Sequence, residues 1–394
     1  MLKKIIYAGL LLLIFTGILY AANYPYPHKM KMEKTIMPDN FTKEQMDQDV
    51  EKAYQDWFHA YVTSDGAPHQ AYRVHMGKAY DFESTSESIG FGMLIMVLMD
   101  NQKYNTQKYF DGLYAYYKKY LDAFGLMHWK ISKDGKIIKA NSATEADENA
   151  ALALIFAHQQ WGNSGKFNYK TEAKSILDRI KKHEIEPGTF VIKPGDTWGG
   201  STATNPIYHS TAYYPIFADF TKDKNWLKIR EKSYKMFQYF YDNFETGLVP
   251  DWCKANGQPS GKLDYNYLYN ACQMPLKFTI EYLWYGNQGS PVPYLMNHRL
   301  SAWIQTKTDE DPKKIVDGYT LNGEAIGKYH NAAFVGPMTA ATMVLPELQP
   351  WLNKMYAYLR EMETGGDWGY YQDTLRLLSM LVVTGNFPNL YVNP

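Results

Sequence analysis

The sequence predicts an all-α fold with small β-hairpin additions, and three observations carry that reading. Apolar residues recur at helical spacing in about twelve segments of the 394-residue chain. Alternating, strand-like patterning is confined to one short pair of segments. Beyond Asn23 no linker, low-complexity stretch or block of like charge marks a boundary, so residues 23–394 read as one domain.

Taken in order, the chain opens with Lys3 and Lys4, an apolar stretch from Ile5 to Ala22, and then a polar, Pro-containing segment. This is the order of an export signal, which assigns residues 1–22 to a signal peptide or an N-terminal membrane anchor. Cleavage after Ala21 or Ala22 would put Leu19 or Tyr20 where a small residue is preferred, and the apolar run is just long enough to span a bilayer. Both readings place the rest of the chain outside the cytoplasm, secreted or tethered.

Helices are expected over 42–63, 85–100, 106–121, 145–161, 168–183 and 209–221. The second half repeats the pattern over 224–243, 266–285, 297–305, 330–343, 348–361 and 369–384. The strand pair falls at Met127–Ile131 and Lys136–Ala140, split by Asp134-Gly135, a hairpin signal. Long loops at Pro194–Pro206 and Pro250–Tyr269 carry Gly, Trp and Tyr, and long loops inside a compact domain are usually functional.

Composition narrows the function. Lys+Arg and Asp+Glu are both 41, so no net charge is available to grip nucleic acid or an anionic membrane surface. The aromatic content is high, with 34 Tyr, 18 Phe and 10 Trp, more phenols than a core is expected to need and suited to flat, half-exposed binding surfaces. Cys253 and Cys272 are too few for a disulfide scaffold and lack metal-ligand spacing. No GxGxxG after a strand, GxxxxGK[ST], HExxH or GxSxG occurs, and the ten His show no ligand spacing, so neither a metal nor an organic cofactor is expected.

Two segments concentrate candidate chemistry. Ser84–Ile95 puts Glu87 at the start of a helix whose first turns hold Gly90 and Gly92. Each glycine costs about 1 kcal/mol against Ala, so something is expected to approach this backbone closely. Glu87 alone would also complement the helix dipole. Ala143–Leu154 carries Glu145, Asp147 and Glu148, where Thr144 to Asp147 matches a capping box yet three acids in four positions exceed what a cap needs. Such carboxylates suit the binding of sugar hydroxyls.

Here the chain resembles glycoside hydrolase family 8, which includes bacterial cellulases, lichenases, xylanases and chitosanases. Ser86-Glu87-Ser88-Ile89-Gly90-Phe91-Gly92-Met93 is similar to the family's S-E-G-x-G-Y-G-M, and Ala143–Ala151 to its A-[ST]-D-[AG]-D-x-x-[IM]-A signature. Gly125–Lys130, Asn205–Tyr208, Gly247–Trp252, Tyr269–Cys272 and Tyr371–Leu378 extend the match in order. The resemblance implies an (α/α)6 barrel and inversion at the anomeric carbon, with Glu87 as the acid. Many members place the base Asp in Y-D-A-x-R, where this chain has Tyr269-Asn270-Ala271-Cys272-Gln273. An amide cannot by itself take a proton from water, so Asn270 is left a substrate-binding role and Asp264, six residues earlier, becomes the expected base. Glu145 and Asp147 are the fallback. Glu145 replaces the signature's first Asp and Gln273 the motif's Arg.

Trp129, Trp198, Tyr208 and Trp252, with Tyr371, lie in loop-flanking motifs and are expected to offer stacking faces to sugars along one groove. The expected function is an inverting endo-glycosidase, acting as a monomer on a β-1,4-linked polysaccharide. A β-glucan comes first and chitosan or xylan behind. The rival is a catalytically weakened polysaccharide-binding protein of an exopolysaccharide-secretion system, motivated by Asn270, Glu145 and Gln273.

Overall fold

Some helical segments of the chain are apolar nearly all round, and others carry a single apolar stripe. A computed structural model, which describes residues 22–163 and 165–392, shows what that difference means. Its twelve α-helices are α1 Lys43–Tyr61, α2 Ser86–Leu98, α3 Gln107–Lys119, α4 Thr144–Trp161, α5 Tyr169–His183, α6 Tyr214–Thr221, α7 Asn225–Asn243, α8 Met274–Tyr285, α9 Val292–Lys307, α10 Ala332–Thr342, α11 Gln349–Glu361 and α12 Gly369–Val383. The signal or anchor expected over 1–22 falls, but for its last residue, outside the described residues. Among the described residues no helix is long and apolar enough to cross a membrane.

Of the even-numbered helices, α2, α4, α8, α10 and α12 are buried on almost every face and α6 through Tyr214, Ile216, Phe217 and Ala218, whereas the odd-numbered ones are buried on one side. α2 packs on α4, α8 on α10 and α10 on α12, each even helix backed by the odd helix after it and α12 by α1. This is an inner ring inside an outer ring, the (α/α)6 barrel. Alternation of outer and inner helices makes the six inner ones run the same way, so their N-termini meet at one end. α1 shows how an outer helix is specified. Thr42 and Gln45 form a reciprocal capping box, and Met46, Val50, Ala53, Tyr54, Trp57 and Tyr61 form the buried stripe.

Inner helices must pack closely, which explains the glycines of α2. A Cβ on Gly90 would lie 2.9 Å from the Ala146 carbonyl oxygen and 3.1 Å from Asn149 Cβ. The close neighbour predicted from sequence is therefore α4. One on Gly92 would meet Val74 and Leu113.

The expected hairpin forms as β4 Lys130–Ile131 and β5 Ile137–Lys139, antiparallel, with Gly135 at φ +78° in the turn. β3 Ser84–Thr85 pairs with β4 and leads directly into α2. β1 Val62–Thr63 and β2 Arg73–Val74 form a second small pair. Three boundaries differ from the periodicity. Residues 209–213 form turns before α6, 266–273 are loop and a short 3-10 turn before α8, and α9 begins five residues earlier than expected, with Pro293 in its first turn, where no backbone donor is lost.

Candidate active site

The converging ends of the inner helices collect the candidate residues. Glu87 is placed by three local constraints. The Ser86 amide donates to the Trp129 carbonyl at 3.0 Å, Thr85 Oγ1 caps the Ser88 amide at 3.1 Å, and Ser88 Oγ accepts from the Thr85 amide at 3.1 Å. The capping box at this helix start is thus Thr85–Ser88, which leaves Glu87 free of capping duty. It is half-buried, in the first turn of α2.

Glu145 stands in the first turn of α4 and is 1 % exposed. Lys277 Nζ lies 2.6 Å from its Oε1, while Oε2 has no hydrogen-bond partner. Lys277 is fixed in turn by the Ile207 carbonyl and, at 3.3 Å, by Ser210 Oγ. The Gln273 amide stands close enough to both acids to lower both, and its Nε2 donates to Tyr371 Oη at 2.9 Å. Gln273, at the N-cap of α8, stands four residues before Lys277, one turn away on the same side. Burial, and next the Glu145 carboxylate, push the Glu87 carboxyl up to about 8 against the pull of Lys277 and Gln273. Burial also raises Glu145, opposed first by Lys277. The first site therefore holds a proton at neutral pH beside an acid that has a cation of its own.

Asp147 and Glu148 belong to different clusters. Asp147 is fully buried, accepts from Tyr117 Oη and lies against Glu184, whose Oε1 takes a 2.5 Å bond from Ser142. Burial pushes Asp147 up to about 8 and Glu184 well above its ordinary range, so burial favours the protonated form of both. Glu148 accepts from Tyr214 at 3.0 Å and is also raised to about 8 by burial. Thr144, expected as a cap, lies inside α4 and donates to the Lys193 carbonyl at 2.7 Å; Ala143 holds the cap position without a side-chain bond.

Asn270 precedes the 3-10 turn Ala271–Gln273. Its Nδ2 donates to Asp251 Oδ2 at 3.0 Å, and its Oδ1 has no partner among the described residues and stays open to solvent. Asp264 lies outside this cluster. It is exposed on the Pro250–Tyr269 loop, its carbonyl accepts from the Trp252 amide at 2.9 Å, and its carboxylate accepts from Asn266 at 3.4 Å. The residues that sequence reasoning passed over are Lys277, Asp251 and Glu184. Asp251 was visible in the Gly247–Trp252 motif and Lys277 in its spacing from Gln273, but neither spacing names its partner.

The aromatic residues form a partly open strip. Trp129 is 38 % and Trp198 43 % exposed, and Trp252 and Tyr208 are half-buried. The Trp198 and Trp252 rings are 5.4 Å apart at 37°, and Tyr208 meets Trp252 edge-on at 6.4 Å. Tyr208 also lies close enough to Glu145 and Glu87 to feel both charges. Trp129 borders Glu87 through the β3–β4 pairing. Tyr371 donates to the Tyr269 carbonyl at 2.5 Å.

The first turn of an inner helix thus carries a carboxyl raised chiefly by burial, with aromatic rings near it, on a chain that matches a known family. Residues 38–385 fit the model for glycosyl hydrolases family 8. The chain belongs to that family. It is 38 % identical to Endoglucanase 2 of Ruminiclostridium josui over 94 % of this chain and 77 % of that one. It is 31 % identical to a beta-glucanase of Niallia circulans, covering 95 % and 94 %. The solved beta-1,3-1,4-glucanase of Paenibacillus sp. X4 superposes with a TM-score of 0.86 at 30 % identity, covering 93 % of this family 8 chain and 99 % of that one.

Proposed function

We propose that this glycoside hydrolase is an inverting endo-β-glucanase cutting β-1,4 bonds in cellulose or a mixed-linkage glucan. The observation that carries the reading is Glu87, a half-buried carboxyl pushed up to about 8 chiefly by burial, with Tyr208 and Trp129 near it. Glu87 protonates the glycosidic oxygen, and the buried Glu145, held by Lys277, helps keep the proton on Glu87 until it is given up. Trp129, Trp198, Tyr208 and Trp252 stack on neighbouring sugars, so binding energy from uncut units holds the reacting one in place. The relatives named for β-glucans support glucan over xylan or chitosan. Lys3, Lys4 and the apolar run to Ala22 support action outside the cytoplasm, secreted or tethered.

The test is hydrolysis of soluble cellulose derivatives and mixed-linkage β-glucan by the purified chain, with Glu87→Gln as control and product configuration followed by NMR. The α-anomer appears first if the reading holds. No turnover on any β-glucan by the unmodified protein returns the rival reading, a polysaccharide-binding protein.

A further inference from the structure

Inversion requires a group that takes a proton from the attacking water on the face opposite the acid. At the position where the family resemblance expects an Asp, the chain offers an amide. An amide oxygen alone is too weak a base, but this amide is not alone. Asp251 Oδ1 is occupied by the backbone amides of Leu268 at 3.1 Å, Asn270 at 3.1 Å and Ala271 at 2.7 Å. Its Oδ2 has Asn270 Nδ2 at 3.0 Å as its hydrogen-bond partner. With Nδ2 turned to Asp251, Asn270 Oδ1 is the atom left facing solvent. The same turn carries Cys272, close enough to feel the charges of Asp251, Glu87 and Glu145, and Gln273, close enough to lower both acids, so the amide stands on the turn that borders the acid's own site.

We infer that Asp251 is the terminal proton acceptor of the reaction, working through the Asn270 amide. The inference rests on the glucanase reading above. As the bond from C1 to the leaving oxygen breaks, Glu87 gives that oxygen its proton and the water oxygen bonds C1. The water's proton passes to Asn270 Oδ1 while one Nδ2 proton passes to Asp251 Oδ2. Asn270 becomes an imidic acid, Asp251 neutral and Glu87 ionised. After product leaves, Asp251 returns its proton to Nδ2, Oδ1 releases its proton to solvent and Glu87 recovers one. Burial already raises the Asp251 carboxyl above its ordinary value despite its four hydrogen bonds, which favours uptake of a proton. Asp251 is a positioning residue by geometry, since it reaches the water only through Asn270.

The experiment uses the full chain on mixed-linkage β-glucan, reading kcat and KM separately and repeating each assay with sodium azide. Azide needs no base to attack C1, so it rescues a lost proton acceptor and yields an α-glycosyl azide, whereas a misfolded site gains nothing. Asp251→Asn keeps an oxygen for the three backbone amides but turns a donor toward Asn270. It is expected to lower kcat by about 10²-fold or more, the scale of a lost general base, with KM little changed and turnover recovered in azide. The exchange Asp251→Asn with Asn270→Asp puts the carboxylate in front and is expected to regain at least about tenfold of that loss. Should Asp251→Asn not fold, Asn270→Ala leaves Asp251 and its backbone bonds in place and carries the same expectation. Undiminished turnover in a folded Asp251→Asn or Asn270→Ala protein overturns the relay. So does loss without azide rescue, or an azide-rescued loss in Asp264→Asn instead. An unmodified chain inactive on every glucan sinks the glucanase reading, and the relay with it.

Discussion

Glu87 must meet two demands that conflict in water: it has to keep a proton at neutral pH and yet release it to a poorly basic oxygen. Burial supplies the first and Glu145 reinforces it, while Lys277 and Gln273 limit the shift so that the acid stays usable. Glu87→Gln is expected to lower turnover at least about 10²-fold with the melting temperature held or raised, since the uncharged amide suits the buried site. Steady-state assays and thermal melts check both. The pH profile follows from the same residue. A general acid works only while protonated, so kcat/KM is expected to fall as pH rises through about 8 and not through the ordinary Glu value near 4.5. An alkaline limb near 5 would assign the acid elsewhere. Glu87 was legible because its motif is local. Lys277 and Asp251 were not, because their partners lie far away in sequence and only folding sets them face to face.

At the scale of elements, helix spacing decides the site. α2 and α4 approach closely enough at Gly90 that an added methyl group meets backbone at 2.9 Å. Gly90→Ala would gain about 1 kcal/mol of helix propensity, but overpacking costs about 1–3 kcal/mol, so net destabilisation is expected, with Glu87 displaced relative to Glu145. Denaturant unfolding and kcat together test this; a more stable, fully active variant would contradict it. α7 and α8 are joined by the buried pair of Arg230 and Glu281 at 2.5 Å, with Tyr234 also donating to Glu281. Arg230→Leu strands a buried carboxylate and is expected to cost about 3–5 kcal/mol by denaturant titration, much of it recovered on adding Glu281→Gln. Periodicity found these helices but extended α8 back to 266. There the three amides that bond Asp251 are drawn out of a helical ladder, a tertiary competition no local pattern records.

For the whole molecule, the barrel's cost is a core rich in titratable groups. Many of the phenols counted as more than a core is expected to need are buried, and some bond to carboxylates, as Tyr61 does to Asp373 at 2.6 Å and Tyr114 to Glu172 at 2.6 Å. An interior holding this many acids needs donors that are themselves largely apolar, which is what tyrosine supplies. Glu87, Asp147 and Glu148 are each held near 8 by burial, so from about pH 4.5 to 8 the folded state keeps protons that the unfolded chain has released. That makes stability fall as pH rises. Buried His28 and half-buried His75, lowered to about 4 by loss of solvent, and buried His209, lowered to about 3, act oppositely below about 6.5, where the unfolded chain binds protons that they refuse. Above 6.5 only the carboxyls contribute. The melting temperature is therefore expected to drop between about pH 6.5 and 8 in scanning calorimetry; a flat or rising curve there would refute the proton inventory.

The sequence by itself determined the helical class, nearly all twelve helices, the hairpin at Asp134-Gly135 and the placing of Glu87 at a helix start. Those features depend on residues three or four apart, or on one turn, where covalent geometry and burial of a stripe leave few alternatives. Tertiary structure decided which acids meet. It set Glu145 against Lys277, closed Asp147 away with Glu184 and Tyr117, left Asp264 exposed and put Asp251 behind Asn270. Parallel inner helices bring together the first turns of segments up to hundreds of residues apart, and the strength of an acid there depends on the burial and charges of those neighbours, which chain order does not encode.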